Sequence, residues 1–169
     1  GRVLFLADRN NLARQAETEF KLFDRTEKQQ PLNDLYTINR LTKPDKINSD
    51  IVISTIQKLF AVLTGQKIDD IDEDEEDEKS FISDEKNEPE VKLSDNLKLS
   101  PDHFQFIIVD ECHRSIYGKW QSVLKYFKGA KILGLTATPT PEAYAFFNNN
   151  IIEEYTYEDS IVDSVNVPN

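Results

Sequence analysis

The sequence predicts an α/β protein, a doubly wound parallel sheet with helices on both faces. Two observations predict it: short, continuous apolar runs recur along the chain, and between them apolar residues return at helical spacing. A third, the charge neutrality of everything outside one acidic stretch, separates the folded body from an insert.

"VLFLA" (Val3 to Ala7) is apolar without interruption, as expected of a strand covered on both faces. Beyond "DRNN", Leu12, Ala16, Phe20 and Phe23 recur at helical spacing, which predicts a helix. "LYTI" (Leu35 to Ile38) and "DIVIST" (Asp50 to Thr55) read as two more strands. The second flows into a helix on which Ile56, Leu59, Phe60 and Leu63 form one stripe, with Ser54 or Thr55 as N-cap and Gly65 as stop. "FQFIIVD" (Phe104 to Asp110) is the next buried strand, and Ile116, Trp120, Val123, Leu124 and Phe127 share a helical face after it. "AKILGLTAT" (Ala130 to Thr138) is the last strand. Thr140 before Pro141 then supplies an N-cap and a first helical residue. The tail from Glu153 is weakly patterned.

With 169 residues the chain is long enough for one domain that buries about two thirds of its unfolded surface. Its net charge of −11 is local: residues 69–90 hold 13 acids against 2 lysines, a charge of −11, which leaves 18 acids and 18 bases elsewhere. Such a run has too little apolar surface to offset ordering entropy, so residues 69–92 are expected to be a mobile, solvated insert. A DNA mimic or a docking tail for a basic partner is the other use of such a run. Asp84 with Glu90-x-Lys92 looks like a metal-dependent nuclease pattern, but that chemistry needs a rigid strand and here acids are everywhere. A single cysteine, Cys112, excludes an internal disulfide, fits a reducing, cytoplasmic setting and is expected to fill a buried slot. No apolar run approaches the roughly 18 residues of a membrane span. The chain opens abruptly on a strand-like run and reads as a piece of a longer protein.

In parallel sheets ligands gather at the carboxyl ends of the strands. Asp110 and Glu111 stand at such an end. One carboxylate there can hold hydrated magnesium beside phosphates, and a second, aimed elsewhere, can orient or deprotonate a water. An isolated Asp-Glu pair is ordinarily a solvated turn; here "GLTATPT" follows the next strand after one helix, and the two together point to a nucleotide site. Arg9, Asn10 and Asn11 follow a strand and open a helix, as do Ser54, Thr55 and Gln57. Both groups suit phosphate contact and both suit helix capping, and one terminus can serve both.

"VDECHR" resembles the Walker B, DEAH-type motif of superfamily-two helicases, and "LTATP" resembles their motif III. "LFLADRNNLARQA" resembles motif Ia, and "IVISTIQKLF" the motif after it. In wording the set is most similar to the motor subunit of type I restriction enzymes, the HsdR family, across residues 3 to 139. The resemblance implies a partial RecA-like lobe over residues 1–157, with residues 158–169 starting the connection to a second lobe. It implies ATP and Mg2+ as cofactors: Asp110 binding the metal through water, Glu111 acting on the hydrolytic water, His113 reporting the γ-phosphate, and Thr136 and Thr138 relaying that state. It also implies double-stranded DNA, methyltransferase and specificity subunits, and a nuclease domain of the same chain as partners. A P-loop pattern is missing from these residues, since Gly118-Lys119 is followed by Trp120; the family places that loop ahead of motif Ia. Two alternatives stay open on the motifs alone: another superfamily-two DNA or RNA helicase, and a noncatalytic acidic interaction module on a RecA-like scaffold.

Overall fold

The computed structural model describes residues 1–24, 30–68 and 97–154. The acidic stretch, the Asp84/Glu90/Lys92 pattern and the connection expected at 158–169 lie outside these residues. The chain divides into two units, Gly1–Thr138 and the residues from Pro139 onward.

The first unit is built on five strands: β1 (Val3–Ala7), β2 (Ile38–Arg40), β3 (Ile51–Thr55), β4 (Phe106–Val109) and β5 (Lys131–Gly134). All pair in parallel, in the spatial order β2-β3-β1-β4-β5. Helices α1 (Asn10–Leu22), α2 (Leu32–Leu35), α3 (Ile56–Thr64) and α4 (Gly118–Tyr126) lie between them. From β1 the chain crosses toward β3 through α1, and from β3 it crosses back over β1 to β4 through α3. Right-handed crossovers in opposite directions put these helices on opposite faces of the sheet. The result is the expected α/β sheet of a RecA-like lobe.

Side-chain alternation along β1 divides the core. Phe5 and Ala7 join Ile38, Ile51 and Ile53 under α1, where Ala13, Ala16 and Phe20 pack down, with Phe5 and Phe20 edge to face at 5.5 Å. The helical face is offset from the stripe read in the sequence: Leu12 is 36% exposed, and Phe23 lies past the helix end at 49%. The reason is that Asn10 and Ala13 take the sheet side, which turns Leu12 to the flank. α3 and α4 meet through Phe60 and Trp120, whose rings stand edge to face at 5.8 Å. Every residue of β3 is buried, as an interior parallel strand requires.

The caps behave as their chemistry dictates. Thr55, not Ser54, caps α3 by accepting the Lys58 N–H, and Gly65 ends it with φ +77°, a conformation that costs glycine little. The strand expected over Leu35–Ile38 is a correction: Leu35 ends the helical turn α2, and strand pairing starts only at Ile38. Pro31 pre-sets that turn, which the Tyr36 N–H closes on the Leu32 carbonyl. In the second unit, helix α5 (Pro141–Phe146) starts as expected, its Thr140 hydroxyl accepting the Ala143 N–H at 3.2 Å.

Candidate active site

The order of the strands creates the site. From β1 the chain first moves to one side of the sheet, to β2 and β3, and then to the other, to β4 and β5. The chain therefore leaves β1 and β4 toward opposite edges of the sheet, and the crevice that open α/β sheets use for ligands is expected between their carboxyl ends. A shallow, polar cleft of about 420 Å³ lies at the opposite ends of β2 and β3, near Tyr36, Thr37 and Asp50. Its lining includes Lys21, Asp34 and Asp50 but no residue of the turns after β4 and β5.

Asp110 follows β4 directly, and its backbone N–H still bonds the Leu6 carbonyl of β1 at 2.9 Å. Its Oδ1 accepts the Glu111 N–H at 3.1 Å. Glu111 is left-handed, φ 47° and ψ 48°, which ends the strand abruptly and sends the chain into a 3-10 turn at Cys112–Arg114. That turn is docked on β5, since the Cys112 N–H bonds the Leu135 carbonyl at 2.9 Å. The two strand ends thus share one rim. His113 joins them: its Nδ1 lies 2.8 Å from Thr136 Oγ1 and 3.3 Å from Glu111 Oε2. Thr136 Oγ1 also accepts the Thr138 N–H at 3.1 Å, so the threonine turn and the acidic turn are connected atom to atom.

Glu111 Oε2 is buried and has no hydrogen-bond donor other than that histidine contact. A buried carboxylate oxygen with so few donors is the kind of acceptor that a bound cation or water satisfies. Asp110 and Glu111 offer the hard oxygen donors that would suit magnesium, an ion that keeps most of its water and takes one or two carboxylates beside substrate phosphates. Cys112 fills a buried slot, as expected; burial and the neighbouring Glu111 charge push its thiol up to about 11.

The second group of sequence-predicted residues splits. Ser54 and Thr55 are each 1% exposed and work inward, Ser54 Oγ donating to the Thr55 carbonyl and Thr55 capping α3. Asn10 is also 1% exposed; its Oδ1 accepts from Lys58 Nζ and from Arg40 Nη1, both at 3.0 Å. Arg9, Asn11 and Gln57 reach the surface, though Gln57 Oε1 is buried without a partner. The Asn10 hub is a feature that sequence reasoning missed. Lys58, 2% exposed, falls in the capped first turn of α3, and Arg40 ends β2, so only the tertiary fold joins them. Arg40 also pairs with Glu17 at 3.4 Å. Burial disfavours the Glu17 charge, but the Lys21 hydrogen bond, the Arg40 N–H and both cations outweigh it and lower its pKa. Asp8 and Arg114 were likewise missed; they form an ion pair of 3.0 Å between the β1 loop and the turn after β4.

Among the described residues no helix is long and apolar enough to cross a membrane. The chain is 30% identical over 142 residues to the endonuclease subunit of the Escherichia coli type I restriction enzyme EcoAI. It is 30% identical over 139 residues to that of the Staphylococcus aureus (strain COL) enzyme SauCOLORF180P. Each comparison covers 82% of this chain, which spans 13% and 12% of the lengths of these relatives. No solved structure matches it. Residues 1–141, the whole sheet with both loops of the crevice, match the ResIII family, described as type III restriction enzyme, res subunit, and the chain belongs to that family.

Proposed function

We propose that the chain is part of the motor lobe of a type I restriction enzyme endonuclease subunit, a cytoplasmic protein in which ATP hydrolysis drives translocation along double-stranded DNA before cleavage. The observation that carries this reading is the contact of His113 with Thr136 and Glu111, which ties the acidic turn of β4 to the threonine turn of β5.

Asp110, anchored by the Glu111 N–H, would hold hydrated Mg2+ beside the ATP phosphates. When bound, that ion supplies positive charge against the charge developing on the phosphoryl oxygens. Glu111 orients and deprotonates the attacking water through its carboxylate, whose Oε2 has, among the described residues, no donor besides His113. His113 sits where a change at Glu111 is felt by Thr136, and Thr136 holds the backbone of Thr138. On the other side of the crevice Arg9, Asn11 and Gln57 contact DNA phosphates, while Asn10, Ser54 and Thr55 hold the two loops in shape. The folded body has no net charge outside residues 69–90, so the remaining attraction for DNA comes from the second RecA-like lobe and the nuclease domain of the same polypeptide. Methyltransferase and specificity subunits complete the assembly.

The test is ATP turnover by the full-length subunit with its partner subunits, with and without duplex DNA or RNA. Duplex DNA is expected to stimulate it, RNA is not, and Glu111→Gln is expected to abolish it; the isolated 169-residue chain is expected to be inactive. Turnover that survives Glu111→Gln, or that RNA alone stimulates, overturns the reading.

A further inference from the structure

Asp8 and Arg114 have no part in the chemistry proposed above, yet they join its two halves. They are 106 positions apart in sequence, and Arg114 Nη1 donates to Asp8 Oδ2 at 3.0 Å. Arg9 Nε reaches the same carboxylate oxygen at 3.4 Å. The Asp8 side chain is only 9% exposed, against 22% for Arg114 and 36% for Arg9. Asp8 is the first residue past β1, directly ahead of Arg9, the N-cap residue of α1. Arg114 closes the 3-10 turn that Cys112 opens and follows His113 directly. One oxygen on a largely buried side chain therefore contacts both the loop assigned to DNA and the turn assigned to the nucleotide.

The chemistry of that oxygen gives the contact a direction. Two guanidinium groups share it, and the shorter contact is the more buried one. When Arg9 turns to a DNA phosphate, Asp8 is left to Arg114 alone, and the less screened pair strengthens. Arg114 Nε is buried without a hydrogen-bond partner, so the Asp8 contact orients the guanidinium and, with it, the end of the 112–114 turn. The same turn carries His113 and is docked on β5 through Cys112.

We infer that the Asp8–Arg114 ion pair is the positioning link by which DNA at the β1 loop sets the acidic turn for hydrolysis. Neither residue touches a reacting atom. The inference rests on the reading of the site as a DNA-stimulated ATPase, and its test keeps the two apart.

In the full-length subunit with its partners, Asp8→Asn and Arg114→Gln are each assayed for ATP turnover without DNA and at saturating duplex DNA, with the KM for ATP. Both are expected to keep the DNA-free rate and the KM, and to lose DNA stimulation by about 5-fold or more. Arg114→Lys, which keeps a cation and a donor, is expected to recover part of it. The double variant is expected to be no worse than the weaker single one, since both remove one contact. Additive losses, unchanged stimulation, or a DNA-free rate that falls in parallel would overturn the link while leaving the ATPase reading in place. Wild-type turnover that duplex DNA does not raise overturns that reading and the link with it.

Discussion

Replacing Asn10 by alanine removes one oxygen that two cations use. Lys58 Nζ and Arg40 Nη1 each donate to Asn10 Oδ1 at 3.0 Å. A hydrogen bond from a charged donor is worth about 1.5–3 kcal/mol, and more of it is lost where water cannot step in. Arg40 has a 17% exposed side chain and keeps Glu17, so its loss is largely repaired. Lys58 is 2% exposed, so little water can take the place of the lost bond. Alanine also removes the Asn10 Nδ2 group, a buried donor without a partner, which returns about 1 kcal/mol. The net destabilisation is about 1–2 kcal/mol, which at a urea slope near 2 kcal/mol per molar lowers the midpoint by about 0.5–1 M. Trp120, the one tryptophan and 5% exposed, reports the transition by fluorescence. Asn10→Asp is the control: it keeps Oδ1 and turns the partnerless donor into a second acceptor beside two cations. It is expected to lose less than about 1 kcal/mol at neutral pH. Because those cations lower the new carboxyl's pKa in the folded state, its benefit is present above the ordinary carboxylate range and lost as the pH falls through it. An Asn10→Ala midpoint within about 0.2 M of wild type, or an Asn10→Asp variant as damaged as alanine, refutes the hub.

Thr136→Val removes the hydroxyl between His113 and the Thr138 N–H, at an expected stability cost of about 1 kcal/mol, whereas Thr136→Ser keeps it. In the full-length subunit the valine variant is expected to lose ATP turnover and the serine variant to retain it; equal rates would count against the His113 relay. Cys112, buried and with its thiol pushed up to about 11, is expected to resist maleimide at pH 8 in the native chain and to react at once in denaturant. Rapid native labelling would show that the turn opens. Thr37 donates its hydroxyl and its N–H to Asp50 Oδ2 and lowers that carboxyl's pKa. The folded value lies below the unfolded one, so this contribution is present above about pH 4 and disappears as the pH falls through the folded value. Asp50→Asn is expected to flatten the acid limb of the stability curve, and an unchanged limb would contradict the assignment.

What the sequence revealed and what it concealed follow from the range of the forces involved. β1, β3, α3 and the start of α5 were legible because each is declared by adjacent residues: an apolar run, a Thr cap, a stopping Gly, a Thr-Pro pair. "LYTI" misled because its alternation suits a strand while Pro31, four residues earlier, had already committed the chain to a helical turn. The proximity of Asp110–Glu111 to Thr136 could be argued from a general rule for parallel sheets. The Asn10–Lys58–Arg40 hub and the Asp8–Arg114 pair could not, because neither a strand end nor a helix start says which distant cation will face it. Asn10, Ser54 and Thr55 illustrate the reverse difficulty: residues of the right type at a helix start can be used up by the interior.

Glu111 sits at φ 47°, in a region that an L-amino acid with a long side chain enters at a cost of about 1–2 kcal/mol and that glycine enters freely. Thermostability screening of this chain without any demand for turnover would therefore be drawn to glycine at position 111, which removes the carboxylate that the proposed mechanism needs. On that proposal, the shape of the main chain at this single residue sets durability against activity in the full-length subunit, and any programme to toughen the protein has to hold the position fixed.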